Sequence, residues 1–202
     1  MAENNEQPAI IRIAIFASGG GSNALQIIEH FKDHPFITVA LIVCNKPGAG
    51  VLQHAAAYNI PTLLIEKEQF FRGNGYIDEL KATGIDFIVL AGFLWKVPDN
   101  LVEAYSGRII NIHPALLPKY GGKGMYGTKV HEAVIDAGDK ESGITIHYVD
   151  PLYDHGEVIF QTTCPVSSSD TADSLALKIH ELEHRHFAPV IEDCINKLFK
   201  SS

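Results

Sequence analysis

The stretch that decides the fold is Ile10-Ile11-Arg12-Ile13-Ala14-Ile15-Phe16-Ala17-Ser18-Gly19-Gly20-Gly21-Ser22-Asn23, near the start of the chain. Its first part is almost entirely apolar and rich in β-branched side chains, which is typical of a strand buried on both faces. The glycines that follow end the strand, and residues 24–31 then carry apolar side chains at helical spacing. Strand, glycine loop and helix form the first half of a βαβ unit.

The same alternation continues along the chain and predicts an α/β fold, a single Rossmann-like domain with a mainly parallel twisted sheet flanked by helices. We expect this domain to cover residues 1–202, with a flexible segment at 1–8. Further strands are predicted at 36–44, 61–65, 87–92, 108–113, 144–149 and 158–165. Further helices are predicted at 51–58, 76–83, 101–105, 128–137 and 171–199, the last broken near Pro189, with loops at 66–75, 121–127 and 150–157.

Composition and charge exclude several classes of protein. The 202 residues are 46% hydrophobic and 20% charged, which is ordinary for a globular chain. A net charge of −8 without a Lys/Arg cluster argues against a nucleic-acid surface. The three cysteines lie far apart, so neither a disulfide framework nor a zinc site is indicated. Without a basic, apolar leader or a membrane-length apolar run, we expect a cytoplasmic protein, monomer or homodimer, that acts on small molecules.

The loop from Ser18 to Asn23 leaves a strand and enters a helix, so its backbone N–H groups favour an anion. A Walker loop would need a lysine before the helix, and none is present. A dinucleotide fingerprint is matched in form, but the second strand ends Cys44-Asn45-Lys46 and lacks the acidic residue that takes the ribose hydroxyls. A single phosphate is therefore the better interpretation, with a plain tight turn as the alternative.

Asn111 and His113 end a short apolar strand, two residues apart, so their side chains point to the same side. Pro114 then stops the strand, which leaves both groups at its carboxyl end, where open α/β sheets bind ligands. An amide can donate a hydrogen bond to a developing oxyanion, and an imidazole can carry a proton near neutral pH. The pair is a catalytic candidate, and the alternative is a polar turn.

Asp154 lies in the loop after the strand that carries His147. If that strand runs parallel to the Asn111/His113 strand, both loops share one rim and the carboxylate lies beside His113. His147 itself is expected to be a hydrogen-bonded structural residue. Trp95 is either part of the core or the wall of an aromatic ligand pocket. One pair of histidines four residues apart, His180 and His184, lacks a convincing third ligand, with His186 and Glu183 nearby, so we predict no metal site.

Together these motifs resemble the folate-dependent formyltransferases, and among them the phosphoribosylglycinamide formyltransferases of purine synthesis. The resemblance runs from about Ile11 to the final helix. It rests on Ser18-Gly-Gly-Gly-Ser-Asn23, Leu90-Ala-Gly-Phe93, Asn111-Ile-His-Pro-Ala-Leu-Leu-Pro-Lys-Tyr120, Gly143-x-Thr-x-His147 and Asp154-x-Gly156. The Asn-x-His-Pro block is shared with the family's hydrolases, and members that act on tRNA or are deformylases carry an additional domain.

The resemblance implies that the amine of glycinamide ribonucleotide attacks the formyl carbon of 10-formyltetrahydrofolate, the co-substrate. Asn111 and protonated His113 would stabilise the oxyanion, and His113 would give a proton to the departing nitrogen. Asp154 would keep His113 charged and position a water, with His147 supporting them from behind. The ribonucleotide would bind at Gly21, Ser22, Asn23, Pro114 and Glu183, and the folate at Leu94, Trp95, Lys96, Val97, Asn111, Asp150, Pro151, Leu152, Tyr153 and Asp154.

Two segments depart from the family pattern. Residues 122–127 replace a segment that contains histidine in many members, and Trp95 stands where an arginine is familiar. Three alternatives remain open at this point: hydrolysis of the formyl group, a non-catalytic nucleotide-binding module, and a dehydrogenase.

Overall fold

In the computed structural model, which describes residues 9–199, seven strands of the described chain form one sheet. The strands are β1 (Ile11–Ala17), β2 (Ile37–Cys44), β3 (Thr62–Leu64), β4 (Phe87–Leu90), β5 (Ile109–His113), β6 (Glu141–Tyr148) and β7 (Val158–Pro165). The helices are α1 (Ser22–Phe31), α2 (Gly50–Ala57), α3 (Lys67–Arg72), α4 (Ile77–Ala82), α5 (Asp99–Ala104), α6 (Thr128–Asp136) and α7 (Ala172–Phe199).

The sheet has the order β3-β2-β1-β4-β5-β6-β7. The pairs formed among β1 to β5 are parallel, whereas β6 pairs antiparallel with both β5 and β7. The predicted fold class, an α/β domain with a mainly parallel sheet between helices, is confirmed. The carboxyl ends of β1, β4 and β5 meet at one edge of this sheet, which is where the glycine loop and the Asn111/His113 pair lie.

Helices cover both faces because the central strands are apolar on both sides. In β1, Ile13 and Ile15 face one core and Ala14 and Phe16 face the other, as the strand period requires. The first core also contains apolar residues of α1, α2, α6 and α7, and the second contains residues of α3, α4 and α5. The two layers fix the strands and leave their carboxyl edge to the connecting loops.

The loop predicted at 66–75 was wrong, because residues Lys67–Arg72 form helix α3. Phe70 is fully buried in the second core, and burial of such a ring contributes roughly 1.5–3 kcal/mol. On the outer side, Glu68 and Arg72 form an i,i+4 ion pair at 3.0 Å. One buried aromatic anchor therefore converts a polar segment into a helical turn.

Helix α7 was predicted to break near Pro189, and this was also wrong. The helix continues through Pro189 to Phe199. Phe187 and Ala188 on one side of the proline and Ile191 on the other are buried in the first core, so packing holds both halves in line. The predicted flexible segment at 1–8, and with it the exact extent of the domain, lies outside the described residues.

Candidate functional site

A cavity of about 760 Å³ opens at the carboxyl edge of the sheet. Its size is that of a small-molecule site. All but one of the side chains predicted for the site line it, and the exception is Pro151. The cavity is therefore the candidate functional site, and its walls are the glycine loop, segment 90–97, the end of β5, segment 122–128, the loop after β6 and one face of α7.

His113 lies at the end of β5, buried, with its ring fixed by the backbone. Its Nε2 donates a hydrogen bond to the carbonyl oxygen of Tyr120 at 2.8 Å, and because a carbonyl only accepts, Nε2 carries the hydrogen. The other nitrogen, Nδ1, lies 3.7 Å from Oδ2 of Asp154. That separation exceeds a direct hydrogen bond, so Nδ1 is the nitrogen that can exchange a proton with a water or a ligand in the cavity.

Asn111 is held by His147, which faces it across the β5/β6 pair. His147 donates from Nδ1 to the carbonyl oxygen of Tyr148 at 2.8 Å, and burial lowers the pKa of its imidazole, so the ring is neutral and Nε2 is an acceptor. The Asn111 amide donates to this Nε2 at 3.1 Å. One amide hydrogen is used in this bond, and the second is available to a ligand.

The Asp154 carboxylate lies near both histidines, but the path of the chain that brings it there was not predicted from the sequence. From the sequence, Asp154 is expected beside His113 on the condition that the strands of His113 and His147 run parallel. This condition is not met, because β5 and β6 are antiparallel and Tyr148 lies opposite Ile110. The loop after β6 instead turns back and is closed by a hydrogen bond from Tyr148 N to Glu157 O. The Asp154 carboxylate then lies 3.8 Å from His147 Nε2 and 3.7 Å from His113 Nδ1.

The position of the Asp154 carboxylate is set by the glycine-rich segment 121–127. The backbone N–H of Gly122 donates to Asp154 Oδ2 at 2.8 Å. Asp154 itself has a φ of 50°, in the left-handed region that Asp tolerates better than most residues. A Cβ at Gly121 would meet Leu117 Cδ2 at 2.6 Å and Asp154 Cβ at 3.3 Å, so a larger residue there would require these neighbours to shift.

The glycine loop gives the opposite end of the cavity its backbone donors. Gly21 has a φ of 81°, and a Cβ there would lie 2.7 Å from Val51 Cβ in α2, so only glycine fits. The first backbone hydrogen bond within α1 runs from Leu25 N to Gly21 O at 2.8 Å. The N–H groups of Ser22 and Asn23 precede it, at the positive end of the helix, and can bind an anion.

Glu183 connects this loop to α7 and is only 5% exposed. Its Oε2 accepts hydrogen bonds from Asn23 Nδ2 and from His180 Nδ1, both at 2.9 Å. The bond to Glu183 raises the pKa of His180. A buried carboxylate with two such donors is well suited to bind hydroxyl groups beside the anion site.

Aromatic rings form another wall of the cavity. Trp95 lines the cavity and its ring centroid lies 5.7 Å from that of Phe70 and 5.5 Å from that of Phe71. Both alternatives for Trp95 therefore apply, because it packs on the second core and also borders the cavity. The partners come from α3, the helix that sequence reasoning missed, although the Glu68/Arg72 spacing was a usable signal.

Two further polar residues near the site were given no role from the sequence, although Thr145 is part of a quoted motif. Thr145 is fully buried, donates to Ala115 O at 2.6 Å and accepts from Leu117 N at 3.0 Å, so it fixes the turn after His113. His131 lies on α6 and lines the cavity. Its signal in the sequence was a histidine directly after Val130 in the predicted helix 128–137.

The described part of the chain lacks two further features. Within residues 9–199 there is no group of three or more His, Cys, Asp or Glu side chains that could hold a metal ion. No helix in the same range combines the length and the apolar character needed to span a bilayer.

Comparison with known proteins gives consistent matches. The family model described as Formyl transferase matches residues 11–191. Phosphoribosylglycinamide formyltransferase of Bacillus subtilis is 36% identical over 91% of this chain and 94% of its own. The chloroplastic protein of the same name from Arabidopsis thaliana is 40% identical over 93% of this chain, which spans 66% of that relative's length.

Solved structures give the same result. Phosphoribosylglycinamide formyltransferase from Bacillus halodurans has a TM-score of 0.83 and 38% identity, covering 93% of this chain and 96% of that one. Glycinamide ribonucleotide transformylase 1 from Geobacillus kaustophilus has a TM-score of 0.81 and 36% identity, covering 90% of this chain and 97% of that one.

Proposed function

Because the chain belongs to the formyl transferase family, we propose that it transfers the formyl group of 10-formyltetrahydrofolate to the amine of glycinamide ribonucleotide. The names of its relatives support this reaction. The observation that carries the proposal is that Asn111, His113 and Asp154 lie together in one cavity, which a backbone anion site and an aromatic wall also line.

The ribonucleotide fits the end of the cavity that the glycine loop forms. Its phosphate would accept hydrogen bonds from the N–H groups at Gly21, Ser22 and Asn23, and its ribose hydroxyls would bind Glu183. Asn23 Oδ1 is buried without a partner among residues 9–199, which is a feature of a site that a ligand completes. With its phosphate held there, the amine can extend toward His113.

The formyl folate fits between the aromatic wall and the loop after β6. The flat rings would lie along segment 94–97, where Trp95 and Val97 provide apolar surface, and against residues 150–154. When bound, it supplies a formyl carbon that accepts the amine and a nitrogen that leaves. The arrangement of the two substrates would bring this carbon to the Asn111/His113 end of the cavity.

Asn111 and His113 would stabilise the negative charge that develops on the formyl oxygen. The Asn111 amide would donate its second hydrogen to this oxygen, because His147 Nε2 accepts the first. His113 can hold a second proton at Nδ1, since its Nε2 hydrogen is already bonded to the Tyr120 carbonyl. The proton at Nδ1 is then the one that passes to the departing nitrogen.

Asp154 would act on protons in two ways. Its carboxylate lies 3.7 Å from His113 Nδ1, where it would contact the proton that this nitrogen transfers. A water bound beside the Asp154–His113 pair would carry the proton that the attacking amine loses to His113, which replaces the proton given to the departing nitrogen. The anchor from the Gly122 N–H leaves Oδ1 of Asp154 available for that water.

A spectrophotometric assay tests the proposal: purified protein is mixed with 10-formyl folate, with and without glycinamide ribonucleotide. Loss of the formyl group from folate is expected only when both substrates are present. Loss with folate alone would replace the proposal with a hydrolase. No loss in either mixture would instead favour a nucleotide-binding module. This assay does not test the prediction of a cytoplasmic monomer or homodimer, which stays a prediction.

A further inference from the structure

His131 is a buried imidazole on the cavity wall, and its Nδ1 has no hydrogen-bond partner among the described residues 9–199. It projects from α6, lines the cavity and is 4% exposed. Its Nδ1 is enclosed without a hydrogen bond, and neither ring nitrogen is bonded to protein within the described residues 9–199. A polar group that is buried and unpaired in this way destabilises the protein unless something binds it, and here the cavity is the place from which a partner can come.

The neighbours of His131 identify the part of the cavity that it serves. Its electrostatic partners are Glu183 and His180 on α7, and then His113. Burial lowers the pKa of His131, so the ring is neutral near pH 7 and offers one donor and one acceptor. A neutral ring suits a hydroxyl group, which both donates and accepts, better than it suits a phosphate dianion.

Glu183 supplies the second half of the geometry. Both of its hydrogen bonds to protein, from Asn23 and His180, end on Oε2, which leaves Oε1 for a ligand. A ribose carries two adjacent hydroxyls, so a carboxylate that binds one of them leaves the other in need of a partner close by. His131 interacts electrostatically with Glu183, and its Nδ1 has no hydrogen bond within residues 9–199.

We propose that His131 is a sugar-binding residue, which hydrogen-bonds a ribose hydroxyl of the ribonucleotide beside Glu183. This assignment rests on the proposed function, since it takes the sugar phosphate to be the ligand at this end of the cavity. Nothing in the family motifs marks the residue, because the motif blocks end at Tyr120 and resume at Gly143. His131 lies between these motif blocks, on helix α6. This helix follows segment 122–127, in which the sequence departs from the family pattern.

The test compares His131→Leu with His131→Gln, because the glutamine amide keeps a polar group that can donate and accept. We expect His131→Leu to raise the KM for the ribonucleotide about five- to tenfold, the effect of one net hydrogen bond, and to leave the KM for formyl folate within about twofold. His131→Gln should stay within about threefold of the unsubstituted protein for both. His186→Leu is the matched control, since His186 also has a pKa lowered by burial but does not line the cavity.

Two inhibitors then identify the contact. Against the ribonucleotide, inhibition by ribose 5-phosphate should weaken in His131→Leu by about the same factor as the KM, whereas inhibition by inorganic phosphate should not change. Equal weakening of both would place the contact on the phosphate and overturn the assignment. An unchanged KM for the ribonucleotide, or a rise in both KM values with a lower Tm, would overturn it as well.

Turnover by the unsubstituted protein is a separate control, because its absence would count against formyl transfer and not against His131. In that case, calorimetric binding of ribose 5-phosphate to the unsubstituted protein and to His131→Leu still gives the answer. Weaker binding by the variant supports the sugar contact, and equal binding overturns it.

Discussion

The two ends of the cavity are built in different ways. At the anion end, one continuous stretch, residues 18–23, provides the loop, the helix start and the backbone donors. At the other end, Asn111 and His113 depend on groups that are distant along the chain: the Tyr120 carbonyl, the Gly122 N–H, His147 and Asp154. Binding through backbone is local, whereas the proposed chemistry needs a tertiary assembly, so the two should respond differently to substitution.

The largest effect is expected for His113→Gln. The glutamine amide can still donate to the Tyr120 carbonyl, but it cannot carry the transferred proton. We expect kcat to fall roughly a thousandfold, within the range that acid–base groups contribute, with ribonucleotide affinity changed by less than about threefold. Steady-state kinetics and calorimetry measure the two quantities, with His54→Gln on α2 as the control. Retention of a tenth of normal turnover would remove His113 from the proposed mechanism.

Asp154→Asn should have the next largest effect. The amide keeps an oxygen for the Gly122 N–H but loses the charge beside His113, so we expect kcat to fall about a hundredfold while ribonucleotide binding survives. Glu157→Gln makes the same chemical change at the exposed end of the same loop and should leave kcat unaltered. Equal rates for Asp154→Asn and Glu157→Gln would mean that another acid does this work.

Gly21→Ala changes the anion end and should act on stability and binding. The new methyl group would lie 2.7 Å from Val51 Cβ at a φ of 81°, and such overpacking lowers the free energy of unfolding by about 2 kcal/mol. Because the loop must shift, the KM for the ribonucleotide should also rise. In the control Gly20→Ala the methyl group meets no atom within 4 Å, so urea unfolding should show a change below about 0.5 kcal/mol. Similar losses in both variants would contradict the steric explanation.

The smallest effect is a dependence of stability on pH. Burial lowers the pKa of both His131 and His147 from 6.5, so the unfolded chain takes up protons first as the pH falls. Their contribution to stability is therefore complete above about pH 6.5 and is lost as the pH falls through the lowered values. His180, whose pKa is raised by Glu183, acts in the opposite sense and loses its contribution as the pH rises.

Urea unfolding of the protein and of His147→Gln, at about pH 7.5 and pH 5.5, tests this sign. The unsubstituted protein should lose more stability on acidification than the variant does, because the variant has no imidazole to protonate at this position. The same loss in both proteins would show that His147 does not titrate in this range.

Much of the fold could be predicted because its signals are local. The apolar run of β1, the glycines after it and the period-two spacing of Asn111 and His113 each lie within a few residues. Helix α3 was not predicted because a single buried ring, Phe70, holds it in place, and that contact is tertiary. Helix α7 continues through Pro189 for the same kind of reason, since residues on both sides of the proline are buried.

The same distinction between local and tertiary contacts applies to the candidate site. Residues on the strand end and in the glycine loop were predictable, whereas the contacts that orient them were not. Asp154 was placed near His113 on the premise of parallel strands, and it lies there although β5 and β6 are antiparallel. No local pattern encodes a loop that turns back over its own strand. The unpaired state of His131 was equally invisible, because it depends on what surrounds the ring.

The hydrogen bond from Gly122 N to Asp154 Oδ2 has a consequence for how this sequence can diverge over evolution. Since the donor belongs to the main chain, side chains elsewhere in the segment, such as Lys123 and Met125, can be substituted without loss of the hydrogen bond to the Asp154 carboxylate. Gly122 itself is not as easily substituted, because its φ of 95° favours glycine and a proline would remove the donor. Related sequences should therefore vary in the amino acids of the segment and retain its backbone conformation.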